Sequence, residues 1–400
     1  MFEPLQSHLR SLLWLVVLTT LCRLLAPQAA SGAAIDEQEL KEFLKTMSLK
    51  NTWFIYSTKD GGEFPYHIRS DGNLERCDPL FLNTYQFGMG SNTKTLTSVL
   101  TIQAIENGHL SLDTKLDALM RQVEAADRRA GRKLPPIEVH PGFKVITLMN
   151  VLTHHAGFPG VDSTDFKMPA TGGKDALMRK VLKQGPVGYK QDFADAPYAF
   201  HYSNEGYSML GEILERISDP PENFASLLKK RIFEPLGLKS GRFFSRAWAV
   251  QRAKEEGLGD LDASELHPMI TPSAGAFCTL PEWLRLTKYL MDGVNGTLER
   301  PRILGRPESF QLLCQTQESC FYGAGALMLS KKPASAYHFG SNGIHSSLNW
   351  FERSDAAGQA GTAVVIVSTE AFHDVSSQFY HLAQWIQEKA GIQNEPQKDH

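Results

Sequence analysis

Ser91 and Lys94, three residues apart in the stretch "FGMGSNTKTLTSVL", have the types and spacing for nucleophilic chemistry. On a helix, positions i and i+3 are neighbours, with Cβ atoms about 5–6 Å apart. Lys94 therefore reaches the Ser91 hydroxyl. That hydroxyl attacks a carbonyl only when a base takes its proton. An ammonium is no base, but burial against an apolar helix disfavours the charged form and lowers its pKa. The free N–H groups of a first helical turn add a positive field around Ser91. Alone the pair is unspecific, because Ser-x-x-Lys arises by chance in a long chain and commonly marks a solvated helix end.

Two further segments carry polar groups suited to the same chemistry. In "FHYSNEGYSMLGEIL", Tyr202 and Asn204 share one side of an extended chain just before a helix. The Tyr202 phenol can pass a proton if a cation lowers its pKa. The Asn204 amide can hold Lys94 or a substrate carbonyl. The same residues also suit a helix cap, on Ser203 or Asn204, beside a core tyrosine. In "AYHFGSNGIHSSLNWF", His338 sits on a strand that turns at Gly340, Ser341, Asn342 and Gly343. Gly340 permits close backbone approach. An N–H on this strand can complete an oxyanion hole with the N–H of Ser91.

The elements that position these groups are legible in outline. "NTWFIYSTKDGGEFPYHIR" reads as two strands around a Gly-Gly turn. "KTLTSVLTIQAIENG" reads as a helix with apolar residues on all sides, hence buried, stopping at Asn107-Gly108. Residues 111–270 are mostly helical patterns broken by Gly and Pro. Another helix is read in "SAGAFCTLPEWLRLTKYLMDG", followed by strand-like runs "GAGALMLS", "SLNWFER" and "TAVVIVS". A last helix, roughly Val375 to Lys389, carries Phe379, Leu382, Ala383 and Ile386 on one face. Strands at both chain ends predict an α+β fold: an antiparallel sheet flanked by helices, with an inserted helical lobe. The sheet part is expected at about 40–110 and 271–390, and the lobe at about 111–270.

Composition narrows the function classes. Of 400 residues, 42% are hydrophobic and 21% charged, which suits a folded globular chain. A net charge of −3 and the lack of a basic stripe give no reason to expect nucleic acid. Residues 1–34 read as a signal peptide, with the short apolar run "SLLWLVVLTTLC" and the small-residue end "LAPQAASGAA". Residues 35–400 form the mature chain, secreted or otherwise extracytoplasmic. A membrane is a partner only if the N-terminal segment stays on as an anchor. Among mature residues, Cys77, Cys278, Cys314 and Cys320 are either disulfide-bonded, with Cys314 and Cys320 close in sequence, or buried thiols. If the chain is glycosylated, "NGT" at Asn295 is the acceptor. His154, His155, His201 and His345 lack metal-ligand spacing, so no metal is expected.

Taken together and in this order, the three segments resemble the serine β-lactamase and penicillin-binding-protein superfamily, most of all its class C-like esterases and D-peptidases. "ITLMNVLTHHAGFP", "IFEPLGLKSGRF", "SAGAFCTLPEWLRLTKYLMDG" and "YGAGALML" follow the same order, and the resemblance covers roughly residues 40–370. It implies Ser91 as acyl-accepting nucleophile, Lys94 as base, Tyr202 as proton shuttle, and Asn204 as the residue orienting Lys94. It places His338 where family members carry Lys or His, and assigns the oxyanion hole to the N–H groups of Ser91 and Ser341. It implies no cofactor, a small-molecule or peptide substrate, and a structural hydrogen bond for the His154-His155 segment. Phe339 replaces the usual small or hydroxyl residue before Gly340. If both line the substrate site, the ring weakens recognition of a β-lactam carboxylate and favours a less acidic ester or amide. The alternatives on the same fold are a transacylase and a slow or non-enzymatic sensor, scaffold or filament protein.

Overall fold

The computed structural model describes residues 34–158, 173–187, 196–243, 271–317, 321–331, 334–354 and 360–392. The segment up to residue 33, where a signal peptide is expected, and Cys320 lie outside them. Eight strands form one antiparallel sheet in the order β3-β2-β1-β11-β10-β9-β8-β7. They are β1 (Thr52–Ser57), β2 (Glu63–Ile68), β3 (Leu74–Arg76), β7 (Tyr322–Gly323), β8 (Leu327–Lys331), β9 (Ala334–Ser341), β10 (Ser346–Glu352) and β11 (Ala363–Ser368). The two ends of the chain meet in the middle, where β1 pairs β11 from Thr52↔Ser368 to Ser57↔Ala363. Both faces of the sheet are covered, so β11 reads as the unbroken apolar run AVVIVS and every residue in it is buried.

Side-chain alternation divides the strands between two cores. Phe54, Tyr56, Leu348, Trp350, Val364 and Ile366 pack with Phe379, Leu382, Ala383 and Ile386 of the terminal helix Phe372–Ile392. A helix at Glu37–Leu44, capped by Asp36 accepting from the Glu39 N–H, completes this layer. Ile55, Ala336, Phe351, Val365 and Val367 face the other way, toward the helices Thr93–Glu106 and Leu280–Asn295. Full burial of each such side chain contributes about 1.5–3 kcal/mol. The Thr93–Glu106 helix is buried from Thr93 through Ala104, as its all-round apolar pattern predicts.

The inserted segment contributes the helices Leu116–Arg129, Leu148–Leu152, Gly173–Gln184 and Asn204–Ile217. Arg216, 6% exposed, ties three of them together. Its guanidinium lies 2.9 Å from Asp127, 2.6 Å from Asp175 and 2.6 Å from Glu212. Removing one partner of such a buried set would leave an uncompensated buried charge, at a cost of about 3–5 kcal/mol.

One expectation is corrected here, and of the two readings of the cysteines the free-thiol one holds for the three described. Asn295 is 2% exposed and donates to the Glu352 carbonyl at 3.0 Å, so burial removes it as a glycosylation acceptor. Cys77, Cys278 and Cys314 are free thiols. Burial pushes the Cys314 thiol up to about 11, which keeps it protonated.

Candidate active site

A short second sheet presents Ser91. Strand β4 (Phe87–Gly88) pairs with β6 (Ala276–Cys278), which also pairs with β5 (Arg242–Phe243). The Met89 N–H continues the ladder to the Ala276 carbonyl at 2.8 Å. The chain then enters a 3₁₀ turn at Gly90–Asn92 before the α-helix starts at Thr93. Ser91 lies in that turn and Lys94 in the first turn of the α-helix, and at i and i+3 the two side chains are neighbours. Gly90 adopts φ +54°, and a Cβ there would overlap the Ser341 backbone nitrogen. The nucleophile turn is thus pressed against the end of β9.

Lys94 is 0% exposed. Its Nζ lies 3.0 Å from Ser91 Oγ, 2.7 Å from Asn204 Oδ1 and 3.0 Å from the Ser273 carbonyl. Burial holds its pKa well below the ordinary 10.5, against a weaker opposing pull from Glu205. A neutral amine has two N–H donors and one lone pair. The Asn204 and Ser273 oxygens are acceptors and occupy the two donors, which leaves the lone pair for the Ser91 proton.

Ser203 caps the Asn204–Ile217 helix by accepting from the Gly206 N–H at 3.3 Å. The Ser203 N–H donates in turn to His154 Nδ1 at 3.1 Å. Tyr202 and Asn204 flank this cap and both reach the Ser91–Lys94 pair. The Tyr202 ring lies under Lys94 Nζ, 4.7 Å from its centroid, and its hydroxyl is near enough to Ser91 to be influenced by it. The condition set for Tyr202, that a cation lowers its pKa, is not met. Burial pushes it up, and the Ser91 hydroxyl opposes that only in part. Tyr202 is a neutral phenol.

Strand β9 supplies the opposite wall. His338 pairs in register with Asn349 and is 2% exposed. Its Nε2 meets the Tyr322 hydroxyl at 2.8 Å. Burial and the neighbouring Lys94 push His338 down to about 3, so it is neutral. Gly340 packs without room for a Cβ against the Met89 carbonyl and Ser347 Oγ. Phe339 does not line the site. Opposite Leu348 in the register, it points to the outer layer, where its ring lies 5.8 Å from Tyr337 and 5.8 Å from Phe372. Strand alternation sends His338 and Gly340 inward and Phe339 outward, so the expected substrate contact of Phe339 is withdrawn.

The structure therefore gathers Ser91, Lys94, Tyr202 and Asn204 around one hydroxyl, with His338, Gly340 and Ser341 on the adjoining strand. His154, His155 and His345 bind protein groups, His154 through the Ser203 N–H. His155 Nδ1 meets Thr153 Oγ1 at 3.2 Å, and His345 Nδ1 accepts from the Gly88 N–H at 3.1 Å. Sequence reasoning missed the Ser273 carbonyl, which no side-chain pattern reveals. It also missed Tyr322, although the tyrosine opens the quoted run "YGAGALML".

With this arrangement established, likeness to known proteins places the chain. Residues 84–384 match the family model described as Beta-lactamase, and the chain belongs to that family. Penicillin-binding protein 4 of Amycolatopsis lactamdurans is 27% identical over 240 residues, 57% of this chain and 57% of that protein. A lovastatin esterase of Penicillium rubens is 25% identical over 191 residues, 47% of each. The chain spans about half the length of these curated relatives. A class C β-lactamase from Rhodobacter sphaeroides shares the fold, with a TM-score of 0.60 at 15% identity, covering 89% of this chain and 98% of that one.

Proposed function

We propose that this chain is an exported serine hydrolase that forms an acyl-enzyme on Ser91 from a neutral ester or amide. The observation that carries the reading is the fully buried Lys94 amine, its pKa held well below 10.5 by burial and its Nζ 3.0 Å from Ser91 Oγ. In acylation, Ser91 Oγ bonds to the substrate carbonyl carbon while its proton passes to Lys94 Nζ. The N–H groups of Ser91 and Ser341 would receive the developing oxyanion, a role consistent with the contact between Gly90 and the Ser341 nitrogen. The carbon–heteroatom bond then breaks. The Tyr202 hydroxyl protonates the leaving atom, and Lys94 returns its proton to the tyrosinate. Water entering by the same route reverses these transfers and frees the acid.

Neutral substrates fit because neither Lys94 nor His338 offers a positive charge to a substrate carboxylate. An unpaired, desolvated carboxylate costs a few kcal/mol, roughly a hundredfold or more in rate. Export rests on the leader-like residues 1–34; no helix among the described residues is long and apolar enough to cross a membrane. A panel of short-chain esters, D-amino-acid amides and a chromogenic β-lactam tests the activity, with acyl-Ser91 followed by intact mass. Turnover of neutral esters above the β-lactam is expected. Efficient β-lactam hydrolysis, or no adduct from any member of the panel, contradicts the reading.

A further inference from the structure

The rings around Tyr202 continue outward to the surface. His154 lies 4.4 Å from the Tyr202 ring and 5.7 Å from Phe200. Phe200 lies 5.7 Å from Tyr322 and 5.6 Å from Phe321. Both phenylalanines are open to solvent, Phe200 at 37% and Phe321 at 52% exposed. In an extended segment, residues i and i+2 share a side, so Phe200 falls on the side from which Tyr202 meets Ser91. Two exposed aromatic rings in contact are unfavourable in water unless something apolar covers them. The ring series that ends in them starts at the group that protonates the departing atom.

We propose that Phe200 and Phe321 form an aromatic lip that binds the leaving group, an apolar, ring-bearing alcohol or amine, of the substrate cleaved at Ser91. This assignment rests on the acyl-Ser91 reading above. The position beyond Tyr202 selects the leaving group and not the acyl group. The acyl oxygen points toward Ser341 on β9, whereas the leaving atom sits at the Tyr202 hydroxyl, next to the ring series. The lip therefore sets specificity and takes no proton.

Three esters separate the two ends of the substrate: ethyl acetate as reference, benzyl acetate with a ring on the leaving side, and ethyl phenylacetate with a ring on the acyl side. In the full chain, Phe321→Ala should lower the kcat/KM ratio of benzyl acetate to ethyl acetate about fivefold or more, chiefly through KM. Phe321→Tyr should retain that ratio, and Phe200→Ala should lower it as Phe321→Ala does. The ratio of ethyl phenylacetate to ethyl acetate should stay the same. Fluorophosphonate labelling of Ser91 is followed in parallel. Normal labelling with unchanged benzyl selectivity in both alanine variants overturns the lip alone, as does a loss confined to the phenylacetate. No labelling and no ester turnover in the wild type overturn both the lip and the acyl-enzyme reading.

Discussion

Lys94 and Asn204 are joined by a 2.7 Å hydrogen bond from Nζ to Oδ1, and this bond holds Nζ 3.0 Å from Ser91 Oγ. The amide holds the amine without adding charge. Asn204→Asp places a carboxylate at the same distance, which favours the ammonium and raises the Lys94 pKa. The acid limb of the kcat/KM profile should move to higher pH. The direction follows from the base role: activity is present above the folded Lys94 pKa and is lost as pH falls through it. Lys94→Arg should be almost inactive, because a guanidinium stays charged. An unmoved limb in Asn204→Asp, measured on one ester, counts against Lys94 as the base.

Tyr202→Phe keeps the ring against His154 and under Lys94 but deletes the hydroxyl. As the proton donor to the leaving group is lost, kcat should fall about 10²–10⁴-fold. The thermal midpoint should move little, since one hydroxyl hydrogen bond contributes about 0.5–1.5 kcal/mol. Unchanged turnover in the folded variant would remove Tyr202 from the mechanism.

Phe339→Thr now has a structural expectation, not a catalytic one. The ring packs on Phe372 and Tyr337 in the outer layer. Its truncation should cost about 1–3 kcal/mol by thermal or urea unfolding, less than a fully buried phenylalanine. The ratio of β-lactam to ester turnover should not change. A changed ratio with an unchanged midpoint would return Phe339 to the site.

The folded protein should lose stability in acid through its buried imidazoles. His338 is pushed down to about 3 from an ordinary 6.5, and burial also holds His154 well below it. Between about 3 and 6.5 the unfolded chain binds a proton at His338 that the folded chain does not. Stability therefore rises with pH through this window, by about 1.4 kcal/mol per unit for each imidazole. Urea unfolding from about pH 4 to about pH 7 should show a shallower slope for His338→Gln than for wild type. Parallel slopes would show that His338 is already protonated in the fold.

Local relationships were the legible ones. Ser91 and Lys94 are three residues apart on one turn, and their meeting follows from helical geometry alone. The burial of the Thr93–Glu106 helix and the inward face of the terminal helix are likewise periodicities within a single element. Contacts across the fold were not legible. Ser273 reaches Lys94 through a backbone carbonyl 179 residues away, and no residue type marks it. The buried Asn295 sequon was misjudged because burial is set by how elements pack. Phe339 was misplaced because a strand's period of two assigns alternate residues to opposite faces, and only the β9–β10 register shows which face is inward.

The pH dependence of fluorophosphonate labelling, mapped to the peptide bearing Ser91, tests the central claim most directly. A single adduct on Ser91 is predicted, absent in Ser91→Ala, forming more slowly as pH falls and Lys94 gains a proton. Labelling of Ser91→Ala at the wild-type rate, or a wild-type rate that is flat through the acidic range, would contradict it.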